Sequence, residues 1–177
     1  MREVTAPPDL YARIQQFHAT QMHALDGGEF DAYAETFTED GEFRHTPGRP
    51  AARTRAGIAE ELKAFHRERF AGDPVQRRHW FNMLRVEPGS GGEIHATFYV
   101  LVVATRPGVR QPEIAPSCVV HDVLVEDADG GLLVRSRWVE HDWQPEPATT
   151  VGAAAGGPVN GPVNGPVNGS VNGEVSR

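Results

Sequence analysis

The sequence is short of cysteine, of lysine and of long apolar runs, and each shortage excludes a class of protein. A single cysteine, Cys118, among 177 residues excludes an internal disulfide, and no CxxC or HxxxH spacing indicates a metal site. No apolar run approaches the roughly 20 residues that cross a bilayer, and the N-terminus lacks the apolar segment of a signal peptide. We therefore expect a soluble, cytoplasmic protein that has no metal, no other cofactor and no membrane contact.

Basic residues are outnumbered by acidic ones, 17 to 24, which gives a net charge of −7. Lys63 is the only lysine, and the basic residues nowhere form a run of about five or more, as nucleic-acid-binding segments do. We therefore expect no nucleic-acid partner. The length fits one domain whose core is large enough to enclose a pocket without disulfides.

The last part of the chain is a low-complexity repeat. Residues 147–177 contain the run GGPVNGPVNGPVNGSVNGEVSR, whose isolated valines and recurrent turn-formers offer no periodic apolar face. Such a segment cannot offset its ordering entropy by burial, so we predict that residues 147–177 are disordered. The predicted folded domain is then residues 9–146, after a leader of residues 1–8.

Hydrophobic periodicity predicts helices first and strands afterwards. Helical spacing extends from Asp9, the predicted N-cap, to Gly27, then along a short second stripe that ends at TEDG, and again from Ile58 to Phe70. Strands are predicted at EFRHT and at residues 75–87, 93–106, 115–126 and 132–143. This order is typical of the α+β class, with three helices on one face of a curved antiparallel sheet that forms a cone with an apolar interior.

Three histidines fall on strand faces that also carry apolar side chains. Period-two alternation places each of them beside apolar residues of the same face: His79 with Phe81 and Met83, His45 with Phe43, and His121 with Val123 and Val125. A pocket wall shows this pattern, and so does a filled core. The helical histidines have polar neighbours in sequence and are predicted to be solvated; they are His18, His23 and His66.

The stretch ALDGGEFDAYAETFTEDGEFRH carries a family resemblance. A helix that ends in LDxG, an aromatic-rich second helix and the motif F-x-E-D-G-x-F resemble the opening of SnoaL-like members of the NTF2-like superfamily. The resemblance extends over residues 9–143 and implies a cone-shaped α+β barrel. Because this fold serves enzymes, binding modules and structural subunits alike, the resemblance alone leaves the function open.

Within the superfamily, the sequence is similar to scytalone dehydratase and its bacterial relatives. The resemblance implies that Asp26, at the end of the first helix, pairs with His79 of QRRHWFNM. The tyrosine that polarises a carbonyl in the dehydratase falls on His45, and its late-strand asparagine falls on His121. A further histidine and tyrosine of the dehydratase have no clear counterpart, which leaves the dehydration reaction itself open. Asp26 also has a plain structural interpretation, because Asp before Gly-Gly is common at helix ends and turns.

The stretch RRHWFNML.VEP also resembles small accessory proteins of actinobacterial aromatic-polyketide pathways, which implies an aromatic polyketide substrate. Cyclisation or dehydration of such a compound begins by removing a proton next to a carbonyl, and imidazole suits that task near neutral pH. We expect His79 to be the base and Asp26 to orient it, while His45, His121 or Tyr33 polarises the carbonyl. The expected pocket-lining residues that bind the substrate are Tyr33, Trp80, Phe81 and Met83.

Two other functions compete with a cyclase or dehydratase of secondary metabolism. A non-catalytic member of the same fold would shelter a polyketide intermediate or support a partner oxygenase. An epoxide hydrolase of the same superfamily would need an Asp-Arg-Asp arrangement, which the sequence does not reveal. In either case we expect a homodimer, as the resemblance implies, because exposed tryptophan and valine on a large sheet would otherwise face water.

Overall fold

A computed structural model describes residues 6–143, so the predicted tail and most of the predicted leader lie outside the described residues. The helices are α1 (Pro8–Gly27), α2 (Phe30–Glu35) and α3 (Thr54–Phe70). The strands are β1 (Phe37–Arg44), β2 (Ala52–Arg53), β3 (Gln76–Pro88), β4 (Ile94–Thr105), β5 (Glu113–Glu126) and β6 (Leu132–His141). The predicted α+β class is confirmed, and the short strand β2 was not predicted.

The first helix starts one residue before the predicted N-cap. Pro8 is its first residue, and Asp9 lies in the first turn rather than at the cap, because proline lacks the N–H that a first helical residue leaves unpaired. The helix ends before Gly28, which has a φ of 78°, a left-handed conformation that glycine adopts without steric cost. The buried face of α1 therefore carries Ile14, His18, Gln21 and Met22.

The second helix is shorter than its apolar stripe predicts. It ends at Glu35, and TEDG belongs to β1 rather than to the helix end. The reason is Thr36, whose hydroxyl donates to the Tyr33 carbonyl at 2.6 Å while its own carbonyl accepts from the Val134 N–H at 2.9 Å. The backbone at Thr36 is thereby recruited into pairing with β6 instead of into another helical turn.

The strands form one curved, open six-stranded sheet in the order β2-β1-β6-β5-β4-β3. The prediction of an all-antiparallel sheet is wrong at one place, since β1 pairs with β6 in parallel. The inner face packs against the helices through a core that includes Ile14, Phe37, Ile58, Leu124 and Val134. The outer face leaves large apolar side chains exposed, among them Trp80, Tyr99 and Trp138.

Candidate functional site

A cavity of about 830 Å³ lies between the helices and the inner face of the sheet. This main cavity has an apolar wall that includes Phe81, Val100 and Val120, and its polar lining includes Asp26, Tyr33, His45, Arg77, His79 and Arg137. Its size and its few polar groups among apolar ones are typical of small-molecule sites.

Asp26 and His79 meet at the wall of the main cavity. Asp26 Oδ1 lies 2.6 Å from His79 Nδ1, and Asp26 Oδ2 accepts the backbone N–H of His79 at 3.1 Å. Because an ionised carboxylate only accepts hydrogen bonds, Nδ1 of the neutral ring carries the hydrogen and Nε2 carries the lone pair. Nε2 makes no hydrogen bond to any of residues 6–143. The two side chains keep 13% and 10% of their exposure, so the pair is sheltered yet open to a ligand.

The structure therefore separates the two interpretations of Asp26. Helix α1 ends through the backbone of Gly28, whose N–H donates to the Leu25 carbonyl at 3.2 Å. Both carboxylate oxygens of Asp26 are engaged by His79, so the side chain orients the histidine of β3 instead of capping its own helix. Asp26 also fixes the ring and the backbone of His79 together, which limits how far the imidazole can turn.

A buried ionic network forms the floor of the main cavity, and sequence reasoning missed most of it. The Arg137 side chain is 2% exposed and donates from Nε and Nη2 to Asp122 at 2.8 and 2.6 Å. It also donates from Nη2 to Gln21 Oε1 and from Nη1 to the Tyr33 hydroxyl, both at 2.9 Å. Burial alone would raise the pKa of Asp122, but the charge and hydrogen bonds of Arg137 outweigh burial and hold that pKa below its usual value.

His18 belongs to this network, so the prediction that it is solvated is wrong. The residue is 5% exposed, and its Nε2 lies 3.1 Å from Asp122 Oδ2. Burial lowers the pKa of His18, although Asp122 acts in the opposite direction. Its polar sequence neighbours lie on other faces of α1, which is why sequence alone placed it in water.

The Tyr33 side chain is fixed at the floor of the cavity. Its hydroxyl accepts from Arg137, and its own hydrogen has no acceptor among residues 6–143, so this O–H can donate to a ligand in the cavity. Burial raises the pKa of Tyr33 more than the Arg137 charge lowers it. The hydroxyl therefore stays a neutral donor.

His45 lies just beyond β1 and lines the same cavity. Its Nδ1 is 3.1 Å from the Thr46 hydroxyl, and its ring stacks on Phe43 at 4.8 Å between centroids. Its Nε2 is buried without a hydrogen bond to any described residue; the Glu61 carboxylate, 3.6 Å away, is too far for one. Burial lowers the pKa of His45 to about 4, so the ring is neutral.

The predicted placement of His121 in the pocket is wrong. The inner face of β5 carries Cys118, Val120, Asp122 and Leu124, so His121 lies on the outer face. There it stacks on Trp138 at 5.2 Å and reaches Glu140 at 3.4 Å. Valines on both faces of β5 hide which side is buried, because they make both look apolar.

The four predicted substrate-binding residues separate by position. Tyr33 and Phe81 line the main cavity. Trp80 is 67% exposed and borders a second groove between α1 and β3, which Asp26 and His79 also line. Met83 is also 67% exposed and lines neither, because a β-bulge between Asn82 and Arg85 gives it a φ of 52° and ends the regular alternation.

Among residues 6–143, no group of three or more His, Cys, Asp or Glu side chains is arranged to hold a metal ion. No helix in that range is long and apolar enough to span a membrane.

Comparison with known proteins gives a family and several solved relatives. Residues 9–138 match the model of the SnoaL-like domain. ActVI-ORFA from Streptomyces coelicolor is 54% identical, with a TM-score of 0.72 over 76% of this chain and 98% of that chain. A Catenulispora acidiphila protein solved in complex with S-DNPA is 54% identical, with a TM-score of 0.69 over 77% and 96% of the two chains. Aln2 from a Streptomyces species is 36% identical, with a TM-score of 0.70 over 78% and 94%. No curated protein sequence matches.

Proposed function

This chain belongs to the SnoaL-like domain family, and on that premise we propose that it is a cofactor-independent cyclase or dehydratase acting on an aromatic polyketide intermediate. The observation that carries the proposal is the 2.6 Å contact between Asp26 and His79 at the wall of the main cavity. A histidine oriented by a carboxylate, with its second nitrogen unpaired, has the arrangement of a general base.

In the proposed reaction, His79 Nε2 takes a proton from the carbon next to a substrate carbonyl. The electron pair of the broken C–H bond forms the enolate, and the proton remains on the ring as imidazolium. The Asp26 carboxylate, already bonded to Nδ1–H, stabilises that positive charge. In an elimination, the enolate expels the hydroxyl on the next carbon, and this hydroxyl takes the proton from Nε2 and leaves as water. In a ring closure, the enolate carbon bonds to a second carbonyl carbon of the substrate, and the alkoxide that forms there takes the proton.

The developing enolate oxygen needs a hydrogen-bond donor, and Tyr33 is the candidate because it lines the same cavity as His79. Its hydroxyl is held by Arg137, which Asp122 and Gln21 fix in turn. A donor that is already oriented stabilises charge without reorganisation during the reaction. His45 lines the same cavity, and its buried Nε2 has no hydrogen-bond partner among the described residues; it is the second candidate for this role.

Aromatic side chains support an aromatic substrate. Phe81, Phe43, Phe65 and Phe70 line the main cavity and provide flat apolar surface on which fused rings can stack. A relative with 54% identity is solved in complex with S-DNPA, which supports a small-molecule ligand. The polyketide class itself rests on the resemblance of RRHWFNML.VEP to accessory proteins of such pathways.

A binding or accessory protein is the second candidate, and one observation favours it. The set of residues that matches the dehydratase pattern already lacks a histidine and a tyrosine in the sequence. In the structure a further member, His121, lies outside the cavity. In this alternative the cavity holds a polyketide intermediate, and the Asp26 and His79 pair serves only to bind it.

Deuterium incorporation from D2O into 2-tetralone, whose C1 protons are acidic and benzylic, tests the proposed base and separates the two candidates. We expect the wild type to exchange these protons faster than buffer and His79→Asn to lose about 100-fold or more of that rate. His121→Asn is the matched control, a histidine outside the cavity, and should keep the rate. Undiminished exchange by a folded His79→Asn variant would show that His79 is not the base.

We also propose that the outer sheet face forms a homodimer. Trp80 faces Leu101 across β3 and β4, and both are exposed, as are Tyr99 and Trp138. Contiguous apolar surface of this kind typically marks a protein interface. Light scattering should give a dimer for the wild type and a monomer for Leu101→Glu; a monomeric wild type contradicts the proposal.

A further inference from the structure

Arg77 faces the main cavity two residues before His79 on β3. Its cross-strand partner is the buried Ala104, as the partner of His79 is the buried Val102, so both side chains lie on the inner face. Alternate strand residues are about 7 Å apart. Arg77 therefore contributes a positive charge to the lining of the cavity that His79 also lines.

Three of the four other arginines that line the cavity are neutralised by acidic side chains, and the fourth, Arg69, is exposed to solvent. Arg49 pairs with Glu68 at 2.9 Å, Arg106 with Glu113 at 2.7 Å and Arg137 with Asp122 at 2.6 Å. By contrast, the Arg77 guanidinium forms no ion pair and no side-chain hydrogen bond with any of residues 6–143. Its contact there is the Phe70 ring, 5.3 Å from the guanidinium carbon to the ring centroid.

An unpaired cation is costly at this place. Arg77 is half-buried, and burial lowers its pKa, while the charge of Asp26 acts in the opposite direction. Asp26 offers only partial compensation, because both of its oxygens are engaged by His79. Because partial burial removes some of the water around the guanidinium and no acidic side chain replaces that water, an anion in the cavity would meet an unneutralised positive charge at Arg77.

We propose that the main cavity takes an aromatic ligand that carries a carboxylate, and that Arg77 is the anchor for that carboxylate. The two oxygens match the donor fork of a guanidinium, and stacking on Phe70 leaves the edges of the fork open to them. Anchoring one end of the ligand at Arg77 sets which carbon reaches His79 Nε2. This inference rests on the proposed function for the identity of the site, and it adds the substrate class.

A matched pair of probes isolates the carboxylate: 1-naphthaleneacetate and the neutral 1-naphthaleneacetamide, each titrated calorimetrically into the full chain. We expect the wild type to bind the carboxylate about 10-fold or more tighter than the amide, because a charge-assisted hydrogen bond is stronger than a neutral one. Arg77→Gln should bind both probes equally. Arg106→Gln, which removes a cavity arginine that is already ion-paired, should keep the wild-type preference.

Three results would overturn the proposal: equal binding of the two probes by the wild type, no binding of either at millimolar concentration, or a preference that survives Arg77→Gln. Arg77→Lys keeps the charge and should keep part of the preference, which guards against a folding defect in the glutamine variant. The probe titration reports on the Arg77 anchor and the deuterium-exchange assay reports on the His79 base, so either can fail while the other holds.

Discussion

Two aspartate–histidine pairs lie among residues 6–143, and helix α1 contributes to both. Asp26 of α1 pairs with His79 of β3 at 2.6 Å, and His18 of α1 pairs with Asp122 of β5 at 3.1 Å. The first pair keeps 13% and 10% of its side-chain exposure, whereas the second keeps 6% and none. The residue types are the same, and the surroundings differ.

The difference teaches that pairing does not by itself make a base. Asp122 is neutralised by Arg137, to which it is joined by two hydrogen bonds, and His18 is enclosed by the rings of Phe17, Phe81 and Phe98. That pair joins α1 to the sheet. Asp26 instead has no arginine or lysine within ion-pair distance among the described residues, and the His79 side chain that it orients lines the main cavity.

The same substitution at the two aspartates should therefore reduce the free energy of unfolding by different amounts. Asp122→Asn leaves Arg137 buried without its counter-charge, and we expect a loss of about 3–5 kcal/mol in the free energy of unfolding. Equilibrium urea unfolding measures it, with Asp26→Asn as the control, expected to lose less than about 2 kcal/mol. Equal losses would mean that the two pairs are both structural.

Asp26→Asn should reduce the rate of catalysis strongly although it changes stability little. An amide can present its N–H₂ to Nδ1, which favours the tautomer with hydrogen on Nε2 and removes the basic lone pair from the cavity. We expect the deuterium-exchange rate to fall about 100-fold or more. A variant that keeps the wild-type rate would show that Asp26 does not orient the base.

His45 should make stability depend on pH. Its pKa is about 4 in the folded state because of burial, against 6.5 for the ordinary group, so the unfolded chain binds the extra proton between these values. The free energy of unfolding is therefore highest above pH 6.5, where His45 is neutral in both states. It falls by roughly 2–3 kcal/mol as the pH falls towards 4. Urea unfolding measured at several pH values should show that the free energy of unfolding of His45→Gln changes less with pH than that of the wild type. His121→Gln is the control and should follow the wild type. Parallel profiles for wild type and His45→Gln would contradict this.

Tyr33→Phe should have the smallest effect, a fall of about tenfold or more in the exchange rate, because one donor to the enolate is lost. The removal also leaves an Arg137 N–H unpaired, so stability should fall by about 1–3 kcal/mol. Tyr11→Phe, at an exposed tyrosine, is the control for both readouts. An unchanged rate in a folded Tyr33→Phe protein would assign the donor role elsewhere.

The sequence predicts the features of the fold that depend on neighbouring residues. The helix and strand order and the inward position of His79 follow from periodicity and turn residues, and the pairing with Asp26 followed from the family resemblance. Met83 and His121 were misplaced because a bulge reverses alternation and because β5 is apolar on both faces.

The positions of Arg77 and Arg137 at the cavity could not be predicted from the sequence, for a different reason. Arginine is most often exposed, and only the tertiary structure shows that Asp122 neutralises one of these residues while no acidic side chain among residues 6–143 neutralises the other. The parallel pairing of β1 with β6, which brings Thr36 to Val134, is likewise a long-range event without a local sequence signal.

Chemical rescue is the most direct test of the central claim that the His79 imidazole removes the proton. In His79→Ala the cavity of about 830 Å³ gains further room for a free imidazole beside Asp26. We predict that deuterium exchange by this variant is lost and then rises with added imidazole, beyond the rate of imidazole in buffer alone. A His79→Ala protein that exchanges like the wild type without imidazole, or that gains nothing from it, contradicts the account.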